Sequence, residues 1–150
     1  MITVNDRPDT ELGLSGIEQL RAALLDGGAP FGRLIGMELD ALEIGRAVFS
    51  LVPGPQHYNP IGMVHGGIAA TMLDSAMGCA IHSTLPLGTR FTTLDLHVHY
   101  TRAITADTGR VVATGVTVHV GGRTATAEAR LVDEAGILLA HGSTTCRVMR

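Results

Sequence analysis

The chain has no tryptophan, only 3% aromatic residues and two cysteines in 150 positions. With so few rings, its interior has to be built from Val, Leu, Ile, Ala and Met. Cys79, in an apolar helical run, and Cys146, near the end, make neither a disulfide framework nor a ligand cluster, and they read as reduced, buried thiols. Charge is thin, 11 basic against 14 acidic residues for a net −3. The basic residues are scattered without aromatic interleaving, so no nucleic-acid partner is expected. No stretch reaches the roughly 18 uninterrupted apolar residues of a membrane span, and "MITVNDRPDT" lacks the basic and apolar regions of a secretion signal. A cytoplasmic, soluble protein is the expectation.

What the chain does have is apolar mass. At this length it reads as one domain, residues 1–150, burying roughly two-thirds of its unfolded surface, with 1–30 as an N-terminal helical segment. The positive mean hydropathy suggests that another subunit covers part of the surface, so a homo-oligomer is expected.

Periodicity supplies the elements. "SGIEQLRAALLDGG" opens with Ser15 and Glu18 at capping-box spacing, puts Ile17, Leu20 and Leu24 on one face and stops at Gly27-Gly28, an amphipathic helix. "GMELDALEIGRAVFSLV" alternates Met37, Leu39 and Ala41 with Glu38 and Asp40, turns near Gly45 and resumes, giving two strands. From Val64 to about Ser83 there is no proline, and apolar or small residues occur on every side, the pattern of a helix buried all round. "RFTTLDLHVHYT" alternates, with Leu94, Leu96, Val98 and Tyr100 on the apolar face and Thr93, Asp95, His97 and His99 on the other. Three further strands, joined at Gly121-Gly122 and "DEAG", complete an antiparallel meander. This is an α+β chain, a curved antiparallel β-sheet wrapped around one long central helix.

The segment "NPIGMVHGGIAATMLD", with "TTLDLHVHYTR" and a "GGR" hairpin after it, resembles the hotdog-fold acyl-coenzyme A thioesterases of the phenylacetic-acid-degradation type over roughly Gly36 to Met149. The resemblance implies metal-free, cofactor-free hydrolysis of an acyl- or aryl-coenzyme A, in homodimers that usually pair into homotetramers. It further implies that Gly66 polarises the thioester carbonyl, that Asp74 is the catalytic carboxylate, that Asn59 positions substrate or water, and that Thr93, or else Thr92, is the small hydroxyl on the strand after the helix. Arg102 falls at the family's arginine, although alanine follows it here instead of proline. Val64, Gly67, Thr92, Arg102, Gly122 and Arg123 are the candidate substrate contacts.

The residues support this chemistry on their own terms. A helix starting at His65-Gly66-Gly67 presents unpaired N–H groups, the positive dipole end and no side chain on Gly66. Asp74 has no Lys or Arg at i±3 or i±4; Ala70, Thr71, Met77 and Gly78 stand there, so its partner must come from another element. His65 reads as a helix-start residue orienting Asn59 or the loop, or as a catalytic group. Arg123 could meet coenzyme A phosphates. His97 and His99, two apart with Asp95 beside them, have a zinc-capable spacing but sit on the outer face, and no metal is expected. Alternatives are a hotdog enoyl-coenzyme A hydratase or dehydratase, and a non-catalytic acyl-coenzyme A-binding protein. Eight residues separate Gly66 from Asp74, about 12 Å along a helix, so an active site at the subunit interface, joining Gly66 of one chain to Asp74 of another, is expected.

Overall fold

The computed structural model describes residues 15–149. Among the described residues three α-helices, α1 (Gly16–Leu25), α2 (Pro30–Ile35) and α3 (Gly66–His82), accompany six strands. The strands are β1 (Met37–Glu43), β2 (Arg46–Leu51), β3 (Arg90–Tyr100), β4 (Val111–Val120), β5 (Thr124–Asp133) and β6 (Leu138–Met149). All pairings are antiparallel, in the order β1-β2-β4-β5-β6-β3, and α3 packs on the inner face: the hotdog arrangement. Among the described residues no helix is long and apolar enough to cross a membrane.

The core follows from the interdigitation of α3 with alternate strand residues. Met72, Leu73, Ala76, Met77 and Ile81 are fully buried against Ala113, Ala127, Leu131 and their neighbours. Small side chains let helix and sheet approach closely, and at Gly115 of β4 the approach leaves no room for a side chain. A β-carbon there would lie 2.4 Å from the carbonyl carbon and oxygen of Ala76. Both neighbours are backbone, which cannot rotate away, so Gly115→Ala must push helix from sheet. It is expected to cost about 3 kcal/mol, an overpacking penalty, and to lower Tm by roughly 10 °C in a calorimetric scan. An unchanged Tm would show that helix and sheet are less tightly apposed.

Three details differ from the sequence expectations. The helix α2 was not anticipated; it is only six residues long, and its signals are Pro30 in the first turn and Gly36 at the C-cap with φ 72°. The helix α3 is not buried all round, because Gly67, Ala70, Thr71, Asp74 and Ser75 form a stripe that the chain's own sheet leaves partly open. Finally, the alternation of β3 is interrupted. Thr93 pairs with Cys146 and Asp95 with Thr145, so Leu94 is an extra, bulged residue, 58% exposed. The bulge puts Phe91 and Thr93 on the same inner face as Leu96, Val98 and Tyr100, and leaves Asp95, His97 and His99 outside with Thr145, Ser143 and His141. The expected faces were right for the histidines and wrong for Thr93 and Leu94.

Candidate active site

The N-terminus of α3 is set by the loop before it. Asn59 Oδ1 accepts from the N–H groups of Ile61 and Met63, both at 3.1 Å, and Tyr58 bridges to Val64, so the loop closes on itself. Asn59 is therefore ordered by its own turn and has no hydrogen bond to His65, whose own N–H donates instead to the His57 carbonyl of the loop at 2.8 Å. His65 is also the N-cap: its Nδ1 accepts from the Gly67 N–H at 2.9 Å, which places the proton of the neutral ring on Nε2. The Gly66 N–H makes no hydrogen bond to another described residue. Gly66 borders a cleft of about 280 Å³ that is also lined by Asn59, Val64, His65, Tyr100 and Arg102. Tyr100, which the sequence reading treated only as an apolar strand residue, reaches back from the end of β3 and donates its hydroxyl to the Gly66 carbonyl at 2.7 Å.

The carboxylate lies elsewhere on α3. Asp74 is half-buried on the open stripe, and the hydroxyl of Thr93 donates to its Oδ1 at 3.0 Å. This is the partner from another element that the helix itself could not provide, and it depends on the β3 bulge. Thr92 faces the other way, paired with Arg147. Both cysteines flank Asp74. Burial, with a smaller contribution from the Asp74 carboxylate, pushes the Cys79 thiol up to about 11, and burial raises Cys146 as well. Neither thiol supplies a thiolate near neutral pH. Cys146 and Thr144 form the floor beneath Thr93, with 3.9 Å between Sγ and Oγ1. Nothing in a linear reading relates them to Asp74; the β3–β6 register does.

The remaining candidates are dispersed. Gly122 and Arg123 are exposed at the β4–β5 hairpin, where the Arg123 carbonyl accepts from Val148 N–H at 2.8 Å. That is the Thr92 end of β3, the same end as Asp74 and Thr93 and opposite the Tyr100 end. Gly67 is exposed, and Val64 is a core residue that contributes one wall of the cleft. On the outer face His97 lies 3.9 Å from Asp95, and His99 stacks on His141 with centroids 5.1 Å apart. Among the described residues no group of three or more His, Cys, Asp or Glu is placed to hold a metal ion.

A helix N-terminus with a free N–H and a carboxylate–hydroxyl pair on one hotdog scaffold invite comparison with known proteins. The family model described as "Thioesterase superfamily" matches residues 61–140, which contain Gly66, Asp74 and Thr93. The chain belongs to the thioesterase superfamily. Within that superfamily it is 26% identical over 116 residues to the 1,4-dihydroxy-2-naphthoyl-CoA hydrolase of Listeria monocytogenes, covering 77% of this chain and 93% of the relative. It is 41% identical over 76 residues to a Halobacterium salinarum protein with a provisional esterase name, but the chain spans only 48% of that protein's length. Among solved structures, a single-residue variant of the phenylacetic acid degradation protein PaaI from Thermus thermophilus is 31% identical, with a TM-score of 0.72 over 79% of this chain and 98% of that one.

Proposed function

We propose that this superfamily member is an acyl-coenzyme A thioesterase of the phenylacetic-acid-degradation type. The observation that carries the reading is Asp74, held by the Thr93 hydroxyl on the open stripe of α3, with no ion pair of its own among the described residues and the protonated thiols of Cys79 and Cys146 near it. The carboxylate takes a proton from water, the water oxygen bonds to the thioester carbonyl carbon, and the resulting oxyanion is held by the Gly66 N–H. Collapse breaks the C–S bond, and the proton passes to the departing thiolate, giving free acid and coenzyme A. Direct attack by Asp74, followed by hydrolysis of the anhydride, uses the same atoms. Thr93 and Asn59 orient water and thioester, and Arg102 borders the path of the coenzyme.

The site is shared between two copies. Gly66 and Asp74 are separated by about 12 Å along α3, and each is tied to a different point of β3, through Tyr100 and Thr93 respectively. β3 is an eleven-residue edge strand with one side unpaired, an edge that proteins cover. Pairing two such edges about a two-fold axis sets the open stripes of two α3 helices side by side in opposite directions, Gly66 of one against Asp74 of the other. Homodimers formed in this way can pair further into tetramers. The hydratase alternative needs a histidine working with the carboxylate, whereas the motif histidine, His65, has its Nδ1 committed to capping α3.

A panel of acyl-coenzyme A esters with detection of the free thiol tests this reading. Release of thiol with formation of the free acid is expected; binding without release would indicate a sensor, and water addition without release a hydratase. Chelation is expected to leave the rate unchanged, whereas complete loss with recovery on adding zinc would shift attention to His97 and His99. Arg123→Ala is expected to raise KM for a coenzyme A ester roughly two- to fivefold while leaving the same acyl group on a pantetheine-like thiol unaffected, because only the former carries phosphates. Equal effects on both would remove Arg123 from the phosphate site.

A further inference from the structure

Gly66 has to aim its N–H, yet its own sequence gives it little stiffness. Two consecutive glycines at the first positions of a helix have more backbone freedom than any other pair and are poor at holding a first turn. An oxyanion donor works only when it is directed, within roughly 2.7–3.1 Å, at the place where negative charge develops. The structure supplies the stiffness from outside. The peptide group between Gly66 and Gly67 is gripped at both of its polar atoms: its carbonyl accepts from Tyr100 Oη at 2.7 Å, and its N–H donates to His65 Nδ1 at 2.9 Å. The peptide on its other side, between His65 and Gly66, is anchored too, since the His65 carbonyl accepts from the Ile68 N–H at 2.9 Å. With the planes on either side of Gly66 fixed, its φ and ψ are fixed and its N–H has one direction.

We propose that Tyr100 is a positioning residue of the thioesterase reaction, its phenol hydroxyl locking the Gly66–Gly67 peptide so that the Gly66 N–H points at the thioester carbonyl. This rests on the reading of Gly66 as the oxyanion donor. Two observations separate the role from ordinary packing. The tyrosine is 54% exposed, so burial of its ring does not account for its placement, and it lines the same cleft as Gly66. Its ring also sits directly against Gly66: a β-carbon on that glycine would lie 3.2 Å from Tyr100 Cζ and Oη and 3.3 Å from Cε1. The absence of a side chain at position 66 is what lets the phenol reach the carbonyl.

The test is Tyr100→Phe, which keeps the ring and removes the hydroxyl. Expected are a fall in kcat of about tenfold, part of the loss seen when an oxyanion donor is removed outright, a KM within about twofold of wild type, an unchanged Tm and faster hydrogen exchange at the Gly67 amide. Gly66→Ala provides a second arm. Its added methyl presses on a tethered ring in wild type but on a ring free to swing in Tyr100→Phe, so the double variant should be less impaired than the product of the two single losses. Wild-type kcat in Tyr100→Phe overturns the proposal, as do strictly multiplicative losses, or a drop in Tm with kcat and KM changing together, which would mark a structural tie. Absence of hydrolysis by the wild-type protein would instead bring down the functional reading on which the proposal depends, while the exchange measurement would still report whether the peptide is held.

Discussion

Asp74→Asn is expected to lower kcat by about 10²–10⁴-fold, the range for removal of a positioned proton acceptor, while leaving the fold intact. The substitution preserves shape, and the side-chain oxygen that accepts from Thr93 at 3.0 Å is retained, so the strand-to-helix hydrogen bond survives. What disappears is the ability to take a proton or to attack a carbonyl. Because the contacts that would bind coenzyme A come from other residues, those of the Gly66 cleft and Arg123 of the β4–β5 hairpin, KM should move far less than kcat. Thiol release measured beside a thermal melt separates the two effects. Hydrolysis at the wild-type rate by a folded variant would eliminate both routes through Asp74.

Mixing two inactive proteins is expected to restore activity. Asp74→Ala lacks the carboxylate, and Gly66→Val fills the space in front of the donor N–H, where even one added carbon meets the Tyr100 ring at 3.2 Å. After unfolding together and refolding at equal amounts, half the dimers are mixed. If sites are shared, one of the two in each mixed dimer carries both lesions and the other carries none, giving up to roughly a quarter of wild-type activity by random pairing. If each chain makes its own site, every site has a lesion and nothing is regained. The decisive negative is a preparation in which mass spectrometry finds mixed dimers and the assay finds no hydrolysis.

The parts of the molecule legible in the sequence are those governed by local periodicity. The α3 helix, the β1–β2 turn at Gly45 and the β4–β5–β6 meander each follow from spacings of two or of three to four residues, and they appear where those spacings put them. Gly66 could be picked out because a glycine pair at a helix start has an evident chemical use, and Asp74 because a carboxylate without a helical partner demands one. The relations across elements were not legible. That Tyr100 ends over Gly66 depends on how β3 crosses α3, and that Cys146 lies under Thr93 depends on the β3–β6 register, neither of which leaves a periodic trace. The half-open stripe of α3 was hidden for another reason: alanine, glycine and threonine suit a solvent-facing position, a core position or a subunit contact equally well, so composition alone does not reveal which neighbour is missing.

Leu94 carries no chemistry, and its side chain is mostly in solvent, yet it makes residue count a constraint on β3 separate from residue identity. A strand has a phase, and the extra residue advances that phase by half a period between the stretch carrying Phe91 and Thr93 and the stretch carrying Leu96, Val98 and Tyr100. Exchanging Leu94 for another residue leaves the phase alone. Deleting it forces a choice: either Thr93 keeps Asp74 while the rest of the strand turns its apolar residues outward, or those residues stay inside and Thr93 leaves the carboxylate. The loop from Leu85 to Thr89, before the strand, is under no such rule, and a residue added there shifts nothing on β3 to the wrong side. As far as strand phase is concerned, the two neighbouring segments thus differ, the loop being free to change in length and the bulge only in kind.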